Sequence, residues 1–329
     1  LSSKYHKLLY FIYLNDEEHP ITVAVSSYNT AYNRDQGRSI RTLFTHFDKF
    51  DTIEIDPLPY FVGGAMITAT DFLDDRFTHA DEARADFERN GFFIFEHFLA
   101  VQGLAQCRLL LDRMARRRDP KADNDVYFNA HQQEPWLFDL ATHPRLLDLI
   151  EQHVGPNIVL WGSNIIAKPP GMGQIVAWHQ DATEWNIKGR FAPTVWITLD
   201  DIAPDNGGMS VLPGWHLKGP LPHNQSRGDN ADSKIDPALL PPDIDELKHD
   251  YVLKAGRMAI HHEYLPHYSP PNTSDRWRRV ILFRYIAAGA QIGDKTYPNY
   301  RTGERFPRLN LLVRGEDVAH QGLARTPSE

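Results

Sequence analysis

Four places in the sequence set a histidine two residues before a carboxylate: His46/Asp48, His79/Asp81, His179/Asp181 and His261/Glu263. One such pair, joined by a second histidine from elsewhere, makes a two-His, one-carboxylate face on a divalent metal and leaves the opposite positions open for an oxidant and a co-substrate. That is the ligand set of non-haem Fe(II) oxygenases. Spacing alone does not choose among the pairs, because a chain this rich in His and Asp yields roughly one or two His-x-Asp pairs by chance. Context does. His79 and Asp81 stand in the first turn of a helix expected to start at Thr78, where backbone amides and the helix dipole favour an acidic group. Capping accounts for them. His46 and Asp48 lie between Thr45 and Lys49 in a stretch with no assignable element, and read as solvated surface. His179 and Asp181 finish an expected strand, Gln174 to His179, in which Ile175, Ala177, His179 and Asp181 share parity and face one way.

The remaining ligand has to come from a strand that returns beside the first, and His261, His262 and His267 all qualify. Glu263 after His261 offers an alternative pair, with a strand end emerging into solvent as the plainer account. A co-substrate with two carboxyl ends also needs a cation opposite the metal, and Arg provides a bidentate fork whose charge cannot be lost. Arg276, Arg278, Arg279 and Arg284 compete for this place. Alternation does not separate them: Arg278 shares parity with Val280 and Leu282, and Arg279 with Ile281 and Phe283.

The elements that must position these groups divide the chain in three. Residues 1–75 carry short apolar runs and no motif, an extension of unassigned role. From Thr78 the spacing predicts a helix stopping near Gly91, a strand Phe92 to Phe95, and helices Leu99 to Arg118 and Trp136 to Val154. Beyond Gly155 the period shifts towards two, giving strands Ile158 to Ala167, Pro193 to Leu199, Met209 to Leu212, Tyr251 to Leu253, Arg257 to His262 and Arg279 to Ile286. Turns such as Pro169-Pro170-Gly171 and Asp205-Asn206-Gly207-Gly208 separate them. Many short strands so punctuated indicate a mainly β, antiparallel jelly roll with flanking helices over 76–290. Residues 219–248 read as a surface insertion or lid, and 291–329 as a polar tail. A formal charge of −8 gives nucleic acid no electrostatic hold, so the expected partner is a small molecule. The longest apolar run near the start, Leu8 to Leu14, is far below the roughly 20 residues that span a bilayer. The single cysteine, Cys107, excludes a disulfide within the chain. A cytoplasmic protein is the expectation; the sequence does not fix its oligomeric state.

Several segments in order resemble the phytanoyl-CoA dioxygenase family of 2-oxoglutarate oxygenases. They are Asn90-Gly91-Phe92, Ala167-Lys168-Pro169-Pro170-Gly171, Trp178-His179-Gln180-Asp181, Trp196-Ile197-Thr198-Leu199-Asp200, Asn206-Gly207-Gly208-Met209, Pro213-Gly214-Trp215-His216, and His267-Tyr268-Ser269 leading to Arg278. The resemblance implies a cupin-like double-stranded β-helix, Fe(II) on His179, Asp181 and His267, and the distal carboxylate of 2-oxoglutarate on Arg278. It further implies that Asn164, Trp196 and Ser269 line the co-substrate site with Gln180 nearby, and that O2 is the oxidant. Trp178, Glu184, Trp185 and His216 flank the expected metal and are candidates to touch substrate. Halogenating relatives replace the carboxylate ligand by a small residue; Asp181 keeps it, which disfavours halogenation, and hydroxylation is the default outcome. Desaturation, epoxidation and ring closure use the same chemistry. A non-oxygenase cupin-type metalloenzyme and a jelly-roll binding module are the competing classes. Trp215 and the first 75 residues depart from the family pattern, and both bear on the substrate pocket.

Overall fold

The computed structural model describes residues 8–13, 22–27, 61–62, 65–66, 72–78, 81–117, 126–172, 175–185, 187–188, 192–224, 234–292 and 295–328. The chain falls into two compact units, Leu1–Thr68 and Ala69–Glu329. In the first, Leu8–Tyr13 pairs antiparallel with Thr22–Ser27, and Phe61–Val62 with Ala65–Met66. The His46/Asp48 pair and His79 lie outside the described residues.

The second unit opens with helix α1 (Asp81–Asn90), which ends at Gly91 in a left-handed conformation, and passes directly into strand β1 (Phe92–Phe95). Helix α2 (Val101–Arg116) buries Gln106, Cys107, Leu110, Leu111 and Met114 along one side, the 3.6-residue stripe that its sequence spells. Gly103 lies inside this helix because a Cβ there would stand 2.1 Å from the Phe72 carbonyl oxygen. Gly103→Ala is therefore expected to destabilise the protein by on the order of 1–3 kcal/mol, the usual cost of overpacking, despite the better helix propensity of Ala. A lowered urea midpoint would show it.

After strand β2 (Val126–Phe128) the expected single helix from Trp136 to Val154 is in fact two, α3 (Pro135–Ala141) and α4 (Pro144–Val154). Pro144 has no N–H to continue α3 and suits the first turn of a new helix instead. The His143 ring accepts from the Arg145 N–H at 3.2 Å as its cap.

Most strands of the second unit form two antiparallel sheets that share one interior, and the short pairs Ile187–Lys188 with Gln291–Ile292, His223–Asn224 with Lys234–Ile235, and Thr296–Pro298 with Arg305–Pro307 lie outside them. The large one runs β11 (Leu311–Arg314), β3 (Ile158–Lys168), β10 (Arg278–Ala287), β5 (Thr194–Thr198), β8 (Met258–His261), β1, with β2 also on β3. The small one runs β7 (His249–Asp250), β6 (Ser210–Val211), β9 (His267–Ser269), β4 (Val176–His179). This is the jelly-roll arrangement expected of a double-stranded β-helix. Register assigns the faces of the large sheet. Leu282 pairs with Trp196 and Asn164, and Val280 with Ile166; Trp196, Val280, Leu282 and Ala259 join Met209, Val211 and Leu265 in the interior. The alternate residues face the helices: the Tyr285 hydroxyl donates to the Ala141 carbonyl of α3 at 2.8 Å, and Arg279 reaches Asp112 on α2. Strand β11 was hidden in the polar composition of the last forty residues. It adds to β3 through Leu311 and Leu312, both buried.

Candidate metal centre

The sheets bring β4 and β9 together so that His267 is the direct cross-strand partner of His179. Asp181 follows two residues after β4 ends, in a turn leading to helix α5 (Ala182–Trp185). The parity expected from Ile175 to Asp181 therefore stops at His179: Ile175 is half exposed ahead of the strand, and a turn rather than a strand face orients the carboxylate. Nε2 of His179 and Nε2 of His267 each lie 3.9 Å from Asp181 Oδ1, and one ligand atom from each of the three residues falls within 4.8 Å of the others.

Both imidazoles are fixed in the same way. Nδ1 of His179 donates to the Ala177 carbonyl at 2.8 Å, and Nδ1 of His267 to the Leu265 carbonyl at 2.9 Å. Each ring then turns Nε2 to the centre, and in the neutral ring this tautomer leaves on Nε2 the lone pair that a metal requires. Burial, followed by the neighbouring His179, pushes His267 well below the ordinary imidazole range. Burial opposes ionisation of Asp181, but the charge of the Arg284 guanidinium outweighs it and holds the carboxyl below the usual range. Thr194 on β5 also donates to Asp181 Oδ2 at 3.1 Å. A His267 ring held neutral and an ionised Asp181 are the protonation states of a ligand set, and Nε2 of both rings faces that carboxylate, so the residues present fit a divalent metal.

The other histidine candidates separate. His261 is fully buried with Nε2 3.5 Å from Asp181 Oδ2, so it backs the carboxylate rather than joining the three. Glu263 is 6% exposed, and burial, with Asp181 nearby, raises its carboxyl to about 7. The reading of a strand end emerging into solvent at His261 and Glu263 is thus overturned, because the chain turns back there and the Glu263 carbonyl accepts from the Ala182 N–H. His262 lies beside His216 and Phe87, with ring centroids at 5.0 and 6.2 Å.

The four arginines also separate. Arg276 is exposed and forks onto Asp205. Arg279 faces the helices and pairs with Asp200 and Asp112. Arg284 points inward and donates to Asn164 Oδ1. Arg278 is 3% exposed, donates Nε to the Gly207 carbonyl at 2.8 Å, lies 5.9 Å over the Trp196 ring, and has Nη1 buried with no partner among the described residues. Burial lowers its guanidinium to about 10, still charged at neutral pH. Glycine suits the turn at 207 because φ there is +81° and a Cβ would meet Lys168 Cδ at 2.8 Å. An unmade hydrogen bond on a buried cation is costly, and a carboxylate placed there would remove the cost.

Ser269, buried on β9, lies next to this corner through Lys168, whose ammonium donates to the Ser269 hydroxyl at 2.8 Å. In the sequence Lys168 stands only within the segment Ala167 to Gly171 that carries the resemblance; its shared parity with Asn164 and Ile166 places it on the same inward face. Gln180 is fully buried and turned away. Its amide donates to the carbonyls of Gly219 and Tyr264 and accepts from the Leu221 N–H, fastening the 219–221 segment to the metal-site turn. Trp178 stacks on Tyr268 with centroids 5.3 Å apart. The described contacts of His216 are with Glu88, Gly91 and His262, on the side of α1. Glu184 and Trp185 belong to α5, immediately after Asp181; their side chains lie outside the described residues.

Comparisons with known proteins agree with this arrangement. The phytanoyl-CoA dioxygenase (PhyH) family model matches residues 87–280, more than half of the chain. The peroxisomal phytanoyl-CoA dioxygenase of Rattus norvegicus is 25% identical over 228 residues, 62% of this chain and 67% of that protein. A probable alpha-ketoglutarate-dependent hypophosphite dioxygenase of Stutzerimonas stutzeri is 32% identical over 209 residues, 61% of this chain and 66% of that protein. Among solved structures, the apo form of the non-heme monooxygenase ThoJ superposes with a TM-score of 0.59 at 28% identity, covering 74% of this chain and 88% of ThoJ. From the two sheets, the triad and these matches together, the chain belongs to the phytanoyl-CoA dioxygenase family.

Proposed function

We propose that this protein is a non-haem Fe(II), 2-oxoglutarate-dependent dioxygenase that hydroxylates an unactivated C–H bond of a small molecule. One observation carries the reading: a two-His, one-carboxylate triad shares the inside of the sandwich with a buried guanidinium that has a hydrogen bond unmade. The metal and oxo acid supply the oxidising power, since decarboxylation of the oxo acid to succinate and CO2 activates O2. His179, Asp181 and His267 would hold the iron on one side and leave the other for co-substrate and O2. Arg278 would grip the distal carboxylate, with Ser269 beside it and Trp196 under the guanidinium. Asn164, fixed by Arg284, and Leu282 would line the path between. The apolar interior of Met209, Val211, Leu265 and Val280 keeps water from that path.

The relatives' names pair the same family with an acyl-CoA in one case and hypophosphite in another, so membership leaves the substrate open. The net charge of −8 and the lack of a basic cluster in the sequence favour a small metabolite or natural-product intermediate over an acyl-CoA. Trp178, on Tyr268 beside the ligand strands, is the proposed aromatic contact to it. No helix among the described residues is long and apolar enough to cross a membrane, and the buried free Cys107 suits a reducing, cytoplasmic setting.

The test is anaerobic titration of the Fe(II)-loaded protein with 2-oxoglutarate. A weak visible charge-transfer band that saturates at one equivalent is expected. A fully metallated protein that shows no band would sink the assignment.

A further inference from the structure

Three histidines surround Asp181, and their hydrogen bonds divide them into two kinds. His179 and His267 each commit Nδ1 to the carbonyl two residues earlier, that of Ala177 or Leu265, and turn Nε2 to Asp181 Oδ1 at 3.9 Å. His261 has no such carbonyl. Among the described residues neither of its ring nitrogens has a hydrogen-bond partner, although the side chain is fully buried. Its Nε2 stands 3.5 Å from the other carboxylate oxygen, Oδ2, beyond the length of a well-formed bond. A buried polar ring with its bonds unmade is costly, so this one is placed for a contact that a filled metal site completes.

Register explains why the ring lies there. His261 on β8 is the cross-strand partner of Thr194 on β5, and both share the inward face of the large sheet with Ala259 and Trp196. Thr194 already donates to Oδ2 at 3.1 Å. The two side chains therefore flank one oxygen of Asp181, while the two ligand imidazoles flank the other. Polarity then places the proton. A lone pair on Nε2 would face the lone pairs of an ionised carboxylate, and no carbonyl draws the proton to Nδ1. His179 and His267 hold the opposite tautomer, which is why three histidines so close together do not all act as ligands.

We propose that His261 is a positioning residue of the metal centre: with its proton on Nε2 it joins Thr194 on Asp181 Oδ2, so that the carboxylate meets the metal through Oδ1 alone. The proposal rests on the metal reading above. Hydrogen bonds in active sites tighten on complex formation, and closing this one satisfies a buried donor. The consequence is room at the metal. With both carboxylate oxygens on an octahedral ion two positions remain for water, co-substrate and O2; with one oxygen, three remain.

The test uses two substitute metals and needs no turnover. On the Mn(II)-loaded protein, broadening of the EPR lines by isotopically labelled water counts the waters on the metal. On the Zn(II)-loaded protein, heteronuclear NMR of labelled histidine reads the tautomers, the His261 signal being the one absent from His261→Gln. Wild type should hold about three waters and carry the His261 proton on Nε2. His261→Phe, which keeps a ring and removes the donor, should hold about two and bind Mn(II) about tenfold or more weakly, as loss of a group supporting a ligand does. His261→Gln, whose amide nitrogen reaches the place of Nε2, should keep the wild-type water count and most of the affinity. His261→Asn, whose amide reaches only the place of Nδ1, should behave as His261→Phe. A merely structural role would rank the variants by their urea midpoints and not by donor position. The proposal is overturned if His261→Phe keeps the wild-type water count, if His261→Asn matches His261→Gln, or if the wild-type ring carries its proton on Nδ1. The tautomer and the Gln–Asn contrast decide the matter even if His261→Phe does not fold. A wild type that binds neither metal would instead dismiss the metal reading itself.

Discussion

Arg278→Ala is expected to bind metal normally and to lose 2-oxoglutarate affinity by roughly 2–5 kcal/mol, on the order of thirtyfold to several thousandfold, the range for truncating one partner of a buried charge pair. The expectation follows from what surrounds the guanidinium. Its Nε is held by the Gly207 carbonyl, the Trp196 ring lies beneath it, and Nη1 is left over. Such a side chain is already oriented before anything binds, so little is lost in ordering it. Arg278→Lys should recover only part of the affinity, because an ammonium cannot present two parallel donors. The readout is the co-substrate dependence of the charge-transfer band at saturating iron. Wild-type affinity in Arg278→Ala would place the distal carboxylate elsewhere, and Arg284 would be the next residue to change.

His267→Ala is expected to cut Fe(II) affinity by at least about 100-fold. Loss of a group that merely supports a ligand costs about 10- to 100-fold, and His267 provides a ligand nitrogen directly opposite His179. Equilibrium metal binding on the reduced, anaerobic protein measures this. Fully retained iron would shift the third donor to His261, whose Nε2 is 3.5 Å from Asp181.

Strands that read as apolar runs between turn signals were legible from sequence to within a residue or so: β1, β3, β5, β8 and β10 lie where those runs set them. A run apolar at successive positions is the imprint of a strand covered on both faces, by the core on one and by helices on the other. The small sheet was less legible because its strands are two to four residues long, too short for a period to register. The α3–α4 break was readable in Pro144, but the continuing Leu and Ile spacing on both sides masked it. The competition among arginines was not decidable from parity, since both faces of β10 carry one. Only tertiary neighbours separate them: Asp200 and Asp112 claim Arg279, and no described acid reaches Arg278. Lys168 was missed because a lysine at a strand end beside two prolines reads as solvent-exposed, whereas the Ser269–Pro270 turn closes over it.

The division of labour between the sheets makes iron and oxo acid unequal as structural elements. Nε2 of His179 and of His267 come from adjacent strands of the small sheet, so a metal there acts mainly as a staple within one layer. Asn164, Lys168, Trp196 and Arg278 belong to the large sheet, and an oxo acid chelated on one side and gripped on the other would span the gap like a rivet through two plates. Filling the reaction site and clamping the barrel shut would then be a single event, and conversion of the oxo acid to the shorter succinate would loosen the clamp.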